Sequence, residues 1–233
     1  MTKIRRYGEA QFLAGVCTSC RQGRGPVCAE CVAALDVQLS CVRYGALSVA
    51  RALVYEPPIS HLIVAYKDRG EWSLRSVLAR LLVRSISHLL LSIGEPVAEN
   101  RRPLLLVPIA ATAASIRLRD CDPVADIASS AAGLLRRSGV QIRSQRILTM
   151  REGHRDHVGL SRGERLSNMN NGFTVQGRVP ARADVVIVDD VVTTGATLTA
   201  AHKTLSRQGL RILGAGVIAG SGHGSSWELN ANG

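Results

Sequence analysis

The chain has 233 residues, of which 46% are hydrophobic and only 3% are aromatic. With this composition the chain can bury a hydrophobic core, which excludes a fully disordered protein. The length is enough for one sizeable α/β domain with a small appendage. The formal net charge of +11 favours polyanionic partners, either nucleic acid or small phosphorylated ligands, although a basic solvated surface would give the same count.

The first predicted unit is a cysteine-rich module of residues 1–45. Four of its cysteines follow the spacing C-x2-C-x7-C-x2-C: Cys17, Cys20, Cys28 and Cys31. Four thiolates on two turns can surround Zn²⁺ tetrahedrally, and Gly23 and Gly25 would let the connecting chain turn back. In a reducing compartment such paired cysteines usually bind metal, so we predict structural zinc, with free or redox-active thiols as the alternative.

The second predicted unit, residues 46–100, holds one long helix from Trp72 to Ile93. Its Leu, Val and Ile residues recur at helical spacing and are interrupted by arginines, which is typical of an amphipathic helix on a core and not of a membrane span. The N-terminus lacks the apolar run of a secretory signal. We therefore expect a cytoplasmic protein without membrane insertion.

Residues 101–220 show the pattern of an α/β domain. Strands are predicted at Leu104–Pro108, Val140–Leu148, Asp184–Val188 and Leu210–Ala219, and helices at Pro123–Leu135, with Asp122 as N-cap, and at Gly195–Gln208. A series of this kind builds a parallel sheet through right-handed crossovers. The polar segment Arg151–Gly172 is long for a connection and is predicted to be a functional or mobile loop. The tail, residues 221–233, is expected to be disordered.

The most informative segment is Val185–Thr197. A fully apolar strand delivers Asp189 and Asp190 to the carboxyl edge of the sheet, where ligands of open α/β sheets bind. The small residues Thr193–Thr197 then open a helix whose free N–H groups and macrodipole favour an anion. The two acids can accept hydrogen bonds from sugar hydroxyls, and the turn can bind a phosphate. The segment therefore predicts a sugar phosphate site. The alternative is an ordinary strand, turn and helix with two solvated acids.

The same run resembles the phosphoribosyl pyrophosphate (PRPP) motif of type I phosphoribosyltransferases, and nearly the whole chain resembles the ComF family of bacterial proteins. The matching segments are the cysteine module, the turn Ala65–Gly70 with Lys67 in register, Val107–Pro108, and the loop Gly159–Asn168. The resemblance implies a type I phosphoribosyltransferase-like parallel sheet flanked by helices, with a small N-terminal zinc-binding module. It also implies that residues 46–100 form a hood over an acceptor pocket.

The resemblance further implies roles for single residues. Asp189 and Asp190 would be the catalytic pair that holds the ribose 2′ and 3′ hydroxyls, with Mg²⁺ bridging pyrophosphate and ribose oxygens. The predicted PRPP- and phosphate-binding residues are Val191, Val192, Thr193, Thr194, Gly195, Ala196, Thr197, Lys67, Arg117, Arg119 and Arg162. The zinc ligands would be Cys17, Cys20, Cys28 and Cys31.

One segment departs from the family pattern. After Val107–Pro108, ComF proteins usually continue with Pro and His and then Arg-Gly-Phe-Asn-Gln, which are absent here. Asp120 and Asp122 instead add negative charge where pyrophosphate is expected. Two functions stay open: a phosphoribosyltransferase acting on an unidentified acceptor, and a non-catalytic ComF-type accessory factor for DNA uptake or competence that contacts DNA or a DNA-processing protein.

Overall fold

The computed structural model describes residues 16–35, 37–94, 102–150, 172–177 and 183–221. Its strands are β1 Ser40–Tyr44, β2 Leu47–Val54, β3 Leu104–Pro108, β4 Ile142–Ser144, β5 Leu148–Met150, β6 Phe173–Val175, β7 Asp184–Val192 and β8 Arg211–Gly220. Its helices are α1 Ala29–Ala33, α2 Ile59–Arg69, α3 Arg75–Ser92, α4 Ala113–Arg119, α5 Pro123–Arg137 and α6 Ala196–Ser206, with a 3-10 turn at Trp72–Leu74.

Six of these strands form one sheet in the order β1-β2-β8-β7-β3-β4. Every neighbouring pair is parallel except the hairpin of β1 and β2. Strands β5 and β6 pair antiparallel in a separate ribbon. The mixed α/β class with a mostly parallel sheet, as expected from the alternating strands and helices, is confirmed.

Both faces of the sheet are buried, which explains why its central strands are continuous apolar runs. Along β7, Val186 and Val188 face a core shared with α2, α3 and α5. Val185 and Ile187 face the opposite core, shared with α6. The period of two along the strand therefore divides its side chains between two helical layers.

Several predicted elements are confirmed. The strand Leu104–Pro108 has the predicted bounds, and the helix predicted from Trp72 is the 3-10 turn followed by α3. Asp122 caps α5, since its Oδ1 accepts a hydrogen bond from the N–H of Ala125 at 3.1 Å. None of the helices in the described part of the chain has the length and apolarity to cross a bilayer.

The strand predicted at Val140–Leu148 is confirmed only in part, as β4, Ile142–Ser144. The chain leaves the sheet after Ser144 and begins the β5 ribbon at Leu148. The N–H of Gln145 still bonds to the carbonyl of Leu106 at 3.0 Å, but Ile147 turns back to Gln145. One short segment can thus contribute to two different sheets.

Two further differences concern length and position. Strand β7 continues to Val192, beyond the predicted Val188, because β8 pairs with it as far as Gly220. Residues 46–100, expected as a helical connection, also supply β2 to the main sheet next to β8. The segment Arg151–Gly172 lies outside the described residues apart from Gly172, and the tail 221–233 lies outside them apart from Ser221.

Candidate functional site

The region at the carboxyl end of β7 is called the crevice here, and the two strands beside β7 end at different heights around it. Strand β3 stops at Pro108, opposite Val188, whereas β8 accompanies β7 to Val192. Asp189 and Asp190 therefore lie beyond the end of β3, in the last part of β7. A crevice outside the carboxyl ends of parallel strands is where open α/β sheets bind ligands.

The two acids are held by the backbone that follows them. The N–H of Asp190 donates to Asp189 Oδ1 at 2.9 Å, and the N–H of Val191 donates to Asp190 Oδ1 at 2.9 Å. Asp189 is partly buried, and Asp190 is only 3% exposed. Both carboxyls are thus fixed in orientation before any ligand arrives.

Lys67, in the last turn of α2, pairs with the more buried acid. Its Nζ lies 2.5 Å from Asp190 Oδ2. Burial alone would lower the pKa of Lys67, but the carboxylate of Asp190 outweighs it and the pKa is raised. Lys67 is therefore the counter-cation of Asp190, and the two residues come from segments 123 positions apart.

Asp189 differs from its neighbour. Burial, followed by the negative charge of Asp190 and a hydrogen bond with that carboxyl, raises the pKa of Asp189 well above its usual range. The ligand-free site thus combines the ion pair of Lys67 and Asp190 with a second carboxyl, that of Asp189, whose surroundings oppose its charge.

The turn after β7 presents hydroxyls and free N–H groups. Thr193 and Thr194 are exposed, and Gly195 has a φ of +70° before α6 begins at Ala196. The N-cap residue of α6, Gly195, has no side chain to cap it, and the N–H of Ala196 donates a long hydrogen bond to Thr194 Oγ1 at 3.4 Å. An uncapped helix start beside threonine hydroxyls suits an anion.

Two residues that the sequence did not indicate, Tyr44 and Ser221, form hydrogen bonds with the backbone of this turn. The carbonyl of Thr193 accepts hydrogen bonds from the Tyr44 hydroxyl at 3.3 Å and from Ser221 Oγ at 3.1 Å. The ring of Tyr44 also lies against Gly195, where a Cβ would come within 2.2 Å of it. Tyr44 is 149 residues from Thr193, so no local pattern could have revealed the contact.

The predicted arginines of α4 lie in different environments. Arg119 pairs with Asp68 of α2, with Nη2 to Oδ1 at 2.9 Å, which brings it to the helix that carries Lys67. Arg117 is exposed and has no ion-pair partner among the residues that the structure describes. Arg162 lies outside the described residues.

Asp122 is not a free charge in the expected pyrophosphate region. One oxygen caps α5, and the other lies 3.4 Å from Nε of Arg146. Its charge is thereby offset within the fold, in contrast to the expected repulsion of pyrophosphate. Asp120 remains exposed, in a left-handed conformation at the end of α4.

A second site is formed by the four cysteines of the N-terminal module. The sulfurs of Cys17, Cys20, Cys28 and Cys31 all lie within 4.8 Å of one another, and only that of Cys20 is on an exposed residue. The connecting chain folds back so closely that a Cβ on Gly23 would be 2.3 Å from Cys28 Cβ. The arrangement fits the tetrahedral ligand set that Zn²⁺ prefers.

The electrostatics of the four cysteines also suit a cation. Burial opposes ionisation of Cys17, but N–H groups of Cys20, Cys28 and Ser19 lower its pKa to about 6. The N–H of Cys31 favours the Cys28 thiolate, yet burial and the neighbouring sulfurs outweigh it and raise the pKa of Cys28 to about 12. Four adjacent thiolates therefore need a positive charge among them.

Among known proteins, this chain is similar only to solved structures. No family model matches the chain, and no curated protein matches it. Orotate phosphoribosyltransferase from Aeropyrum pernix is 22% identical, with 71% of this chain and 67% of that chain covered and a TM-score of 0.34.

Two other solved structures are similar at 16% identity. Hypoxanthine phosphoribosyl transferase from Trypanosoma cruzi has a TM-score of 0.39, with 68% of this chain and 70% of that one covered. Adenine phosphoribosyltransferase from Saccharomyces cerevisiae has a TM-score of 0.33, with 82% and 89% covered. At such low identities and TM-scores, the likeness assigns no function to this chain.

Proposed function

We propose that the chain binds PRPP, or another ribose 5-phosphate compound, together with Mg²⁺ at the end of β7. One observation carries the proposal. A single continuous segment places two oriented carboxyls and an uncapped helix start beyond the end of β3. Carboxyls accept hydrogen bonds from hydroxyl groups, and the helix start attracts a phosphate, so a ribose 5-phosphate satisfies both halves.

We assign different roles to the parts of the segment before and after Val192. Asp189 and Asp190 accept hydrogen bonds from the ribose hydroxyls, while the turn Thr193–Thr197 holds the 5-phosphate. The hard carboxylate oxygens of this crevice are of the kind that Mg²⁺ accepts. When bound with the ligand, Mg²⁺ supplies positive charge to the pyrophosphate and ribose oxygens.

We extend the proposal to phosphoribosyl transfer to an acceptor. The chain's contribution is to position the sugar and to balance charge as pyrophosphate leaves. Lys67 and Arg119 supply cations from α2 and α4, and Arg117 is exposed on the same helix. Arg162, from the loop signature, is proposed as a further cation.

We also propose that the chain is a ComF-type protein whose four cysteines hold a structural Zn²⁺. The spacing of the cysteines, the closeness of their sulfurs and the buried Cys17, Cys28 and Cys31 support this role. With no His or carboxylate among the four clustered ligands, the site is closed, as structural zinc sites are.

Calorimetric titration of PRPP with Mg²⁺ tests the proposed function. Wild type is compared with the double variant Asp189→Asn/Asp190→Asn, and Glu71→Gln, an exposed acid outside β7, serves as the matched control. We expect the double variant to bind at least about tenfold more weakly, since each Asn offers one acceptor oxygen in place of two and cannot carry a negative charge. The control should bind like wild type. Equal affinity for all three proteins, or no binding by wild type, contradicts the proposal.

A further inference from the structure

A cleft of about 430 Å³ opens between the end of α2 and the helix α4. The side chains that matter to its chemistry are Lys67, Asp68, Arg69, Trp72, Leu118 and Arg119. Lys67 belongs to both places, since it lines the cleft and its Nζ lies 2.5 Å from Asp190. The cleft therefore adjoins the crevice at the end of β7.

The cleft carries an excess of positive charge. Three cations and one acid line it, and two of the cations are already paired, Arg119 with Asp68 and Lys67 with Asp190. Arg69 is exposed and has no ion-pair partner in the described ranges. A negatively charged ligand should therefore bind in this cleft more tightly than a neutral one. An arginine can hold a carboxylate through two parallel hydrogen bonds.

The cleft also exposes two large apolar side chains, which a purely ionic ligand would not use. Trp72 is 37% exposed and Leu118 is 84% exposed. The indole of Trp72 is held edge-on against Tyr66, with ring centroids 5.3 Å apart at 87°, so its orientation is fixed in advance. A flat ring can cover both side chains, whereas pyrophosphate leaves them in water.

We propose that this cleft is the acceptor subsite and that it takes a planar aromatic or heteroaromatic carboxylate. This inference rests on the proposed phosphoribosyl function, since an acceptor has a meaning only beside a bound sugar. The carboxylate lies against Arg69, while Arg119 stays paired with Asp68, and the ring lies between Trp72 and Leu118. Lys67, on the border, separates the ring from the ribose side of the crevice.

Ligand-observed NMR titration of the full chain tests the chemistry with three probes. Nicotinate, nicotinamide and cyclohexanecarboxylate are of similar size and differ in charge or in aromaticity. We expect nicotinate to bind at least about fivefold more tightly than either of the others, because only nicotinate has both features. Arg69→Gln should remove the preference over nicotinamide, and Arg84→Gln, an exposed arginine of α3 outside the cleft, should not.

Two variants probe the apolar walls. Trp72→Leu should remove the preference for nicotinate over cyclohexanecarboxylate. Because Trp72 also packs on Tyr66, Leu118→Ala gives a second measurement at a position too exposed to affect folding, with nicotinate expected to bind about two- to threefold more weakly. Equal binding of the three probes, or nicotinate binding that neither variant changes, overturns the inference.

The acceptor role is tested by adding PRPP and Mg²⁺ at saturation. Nicotinate should bind within twofold of its affinity without PRPP, because the two ligands occupy adjoining sites. Competition between them would make the cleft the pyrophosphate site and overturn the inference, while PRPP binding that depends on Asp189 and Asp190 would leave the proposed function intact. Nicotinate binding that depends on Trp72, in a protein that does not bind PRPP, removes the proposed function and the acceptor role with it.

Discussion

Asp189 and Asp190 are adjacent in the chain but have different surroundings. Asp190 is nearly fully buried and has Lys67 as its counter-cation. Asp189 has no cation at ion-pair distance among the described residues, and burial together with the charge of Asp190 raises its pKa. The site therefore holds Asp189 in an environment that opposes its charge, as is common where function is favoured over stability.

We predict that Asp189→Asn stabilises the ligand-free protein at pH 7. Since the pKa of Asp189 is raised on folding, its contribution to stability is fully present below the unfolded value, near 3.8, and is lost as the pH rises through the folded pKa. Asn carries no charge and avoids that loss. Urea unfolding should show the variant above wild type at pH 7, with the gap shrinking as the pH falls toward 4.

The control for this measurement is Glu71→Gln, which removes an exposed acid outside the crevice. Its stability should follow that of wild type at both pH values. A destabilised Asp189→Asn protein at pH 7, or a gap that does not change with pH, would show that burial and Asp190 do not oppose the charge of Asp189.

How far single residues can be predicted depends on the distance between partners along the chain. Asp189, Asp190 and the threonine turn were predictable because they are contiguous and follow an apolar strand. The pairing of Lys67 with Asp190 had no signal in composition or spacing, and only family resemblance placed Lys67 at the site. Tyr44 and Ser221 had no signal, because their contacts with Thr193 exist only once the sheet has formed.

Among the elements, the connection from β7 to α6 depends on a strand far from it in sequence. The last residue of β1, Tyr44, covers Gly195. Gly195 has φ of +70° and Gly209, after α6, has φ of +71°. A Cβ at Gly209 would meet nothing within 4 Å. Comparing alanine variants at the two positions therefore separates the cost of backbone strain from the effect of the contact with Tyr44.

We predict that Gly195→Ala weakens PRPP binding by at least about tenfold, whereas Gly209→Ala leaves it unchanged. Both alanines adopt a left-handed conformation at a cost of about 1–2 kcal/mol. Only Gly195→Ala also displaces the Tyr44 ring and with it the turn. Thermal unfolding and PRPP titration of both variants measure the difference, and equal PRPP affinities would contradict the role of Tyr44 in shaping the turn.

The elements were predictable where both faces are buried. Strands β3 and β7 are continuous apolar runs and α3 has clear helical spacing, so their existence follows from the hydrophobic pattern. Strand β2 was missed although it is apolar, because its place beside β8 is set by a crossover across most of the chain. The split of residues 140–148 between two sheets reflects competition for pairing partners, which local propensity does not encode.

At the scale of the whole molecule, the described residues form two large cores on the faces of the sheet and a small third one. The third consists of Cys17, Cys28 and Cys31, with Val27 packed against it. Val27 also packs against one of the two large cores, the one that includes Leu35. The cysteine module is therefore attached to the domain. A core this small cannot stabilise a fold by burial alone, and the proposed zinc ion would supply what is missing.

We predict that Gly23→Ala abolishes zinc binding while leaving the sheet folded. The added methyl would lie 2.3 Å from Cys28 Cβ and 2.7 Å from its Sγ, so the cysteines cannot keep their mutual distances. Wild type should release about one zinc ion per chain to a chelator, as four thiolates bind one ion, and the variant none. Circular dichroism of the variant should retain the α/β signal, because the two large cores do not include Gly23.

The matched control is Gly133→Ala, inside α5, where a Cβ would find only the end of the Arg136 side chain at 3.8 Å. This variant should keep its zinc and gain about 0.5–1 kcal/mol, because alanine costs less conformational entropy than glycine in a helix. Colorimetric zinc release and thermal unfolding compare the three proteins. Zinc retained by Gly23→Ala at the wild-type level contradicts a metal held by the four cysteines, and loss of the α/β signal contradicts the independence of the two large cores from the module.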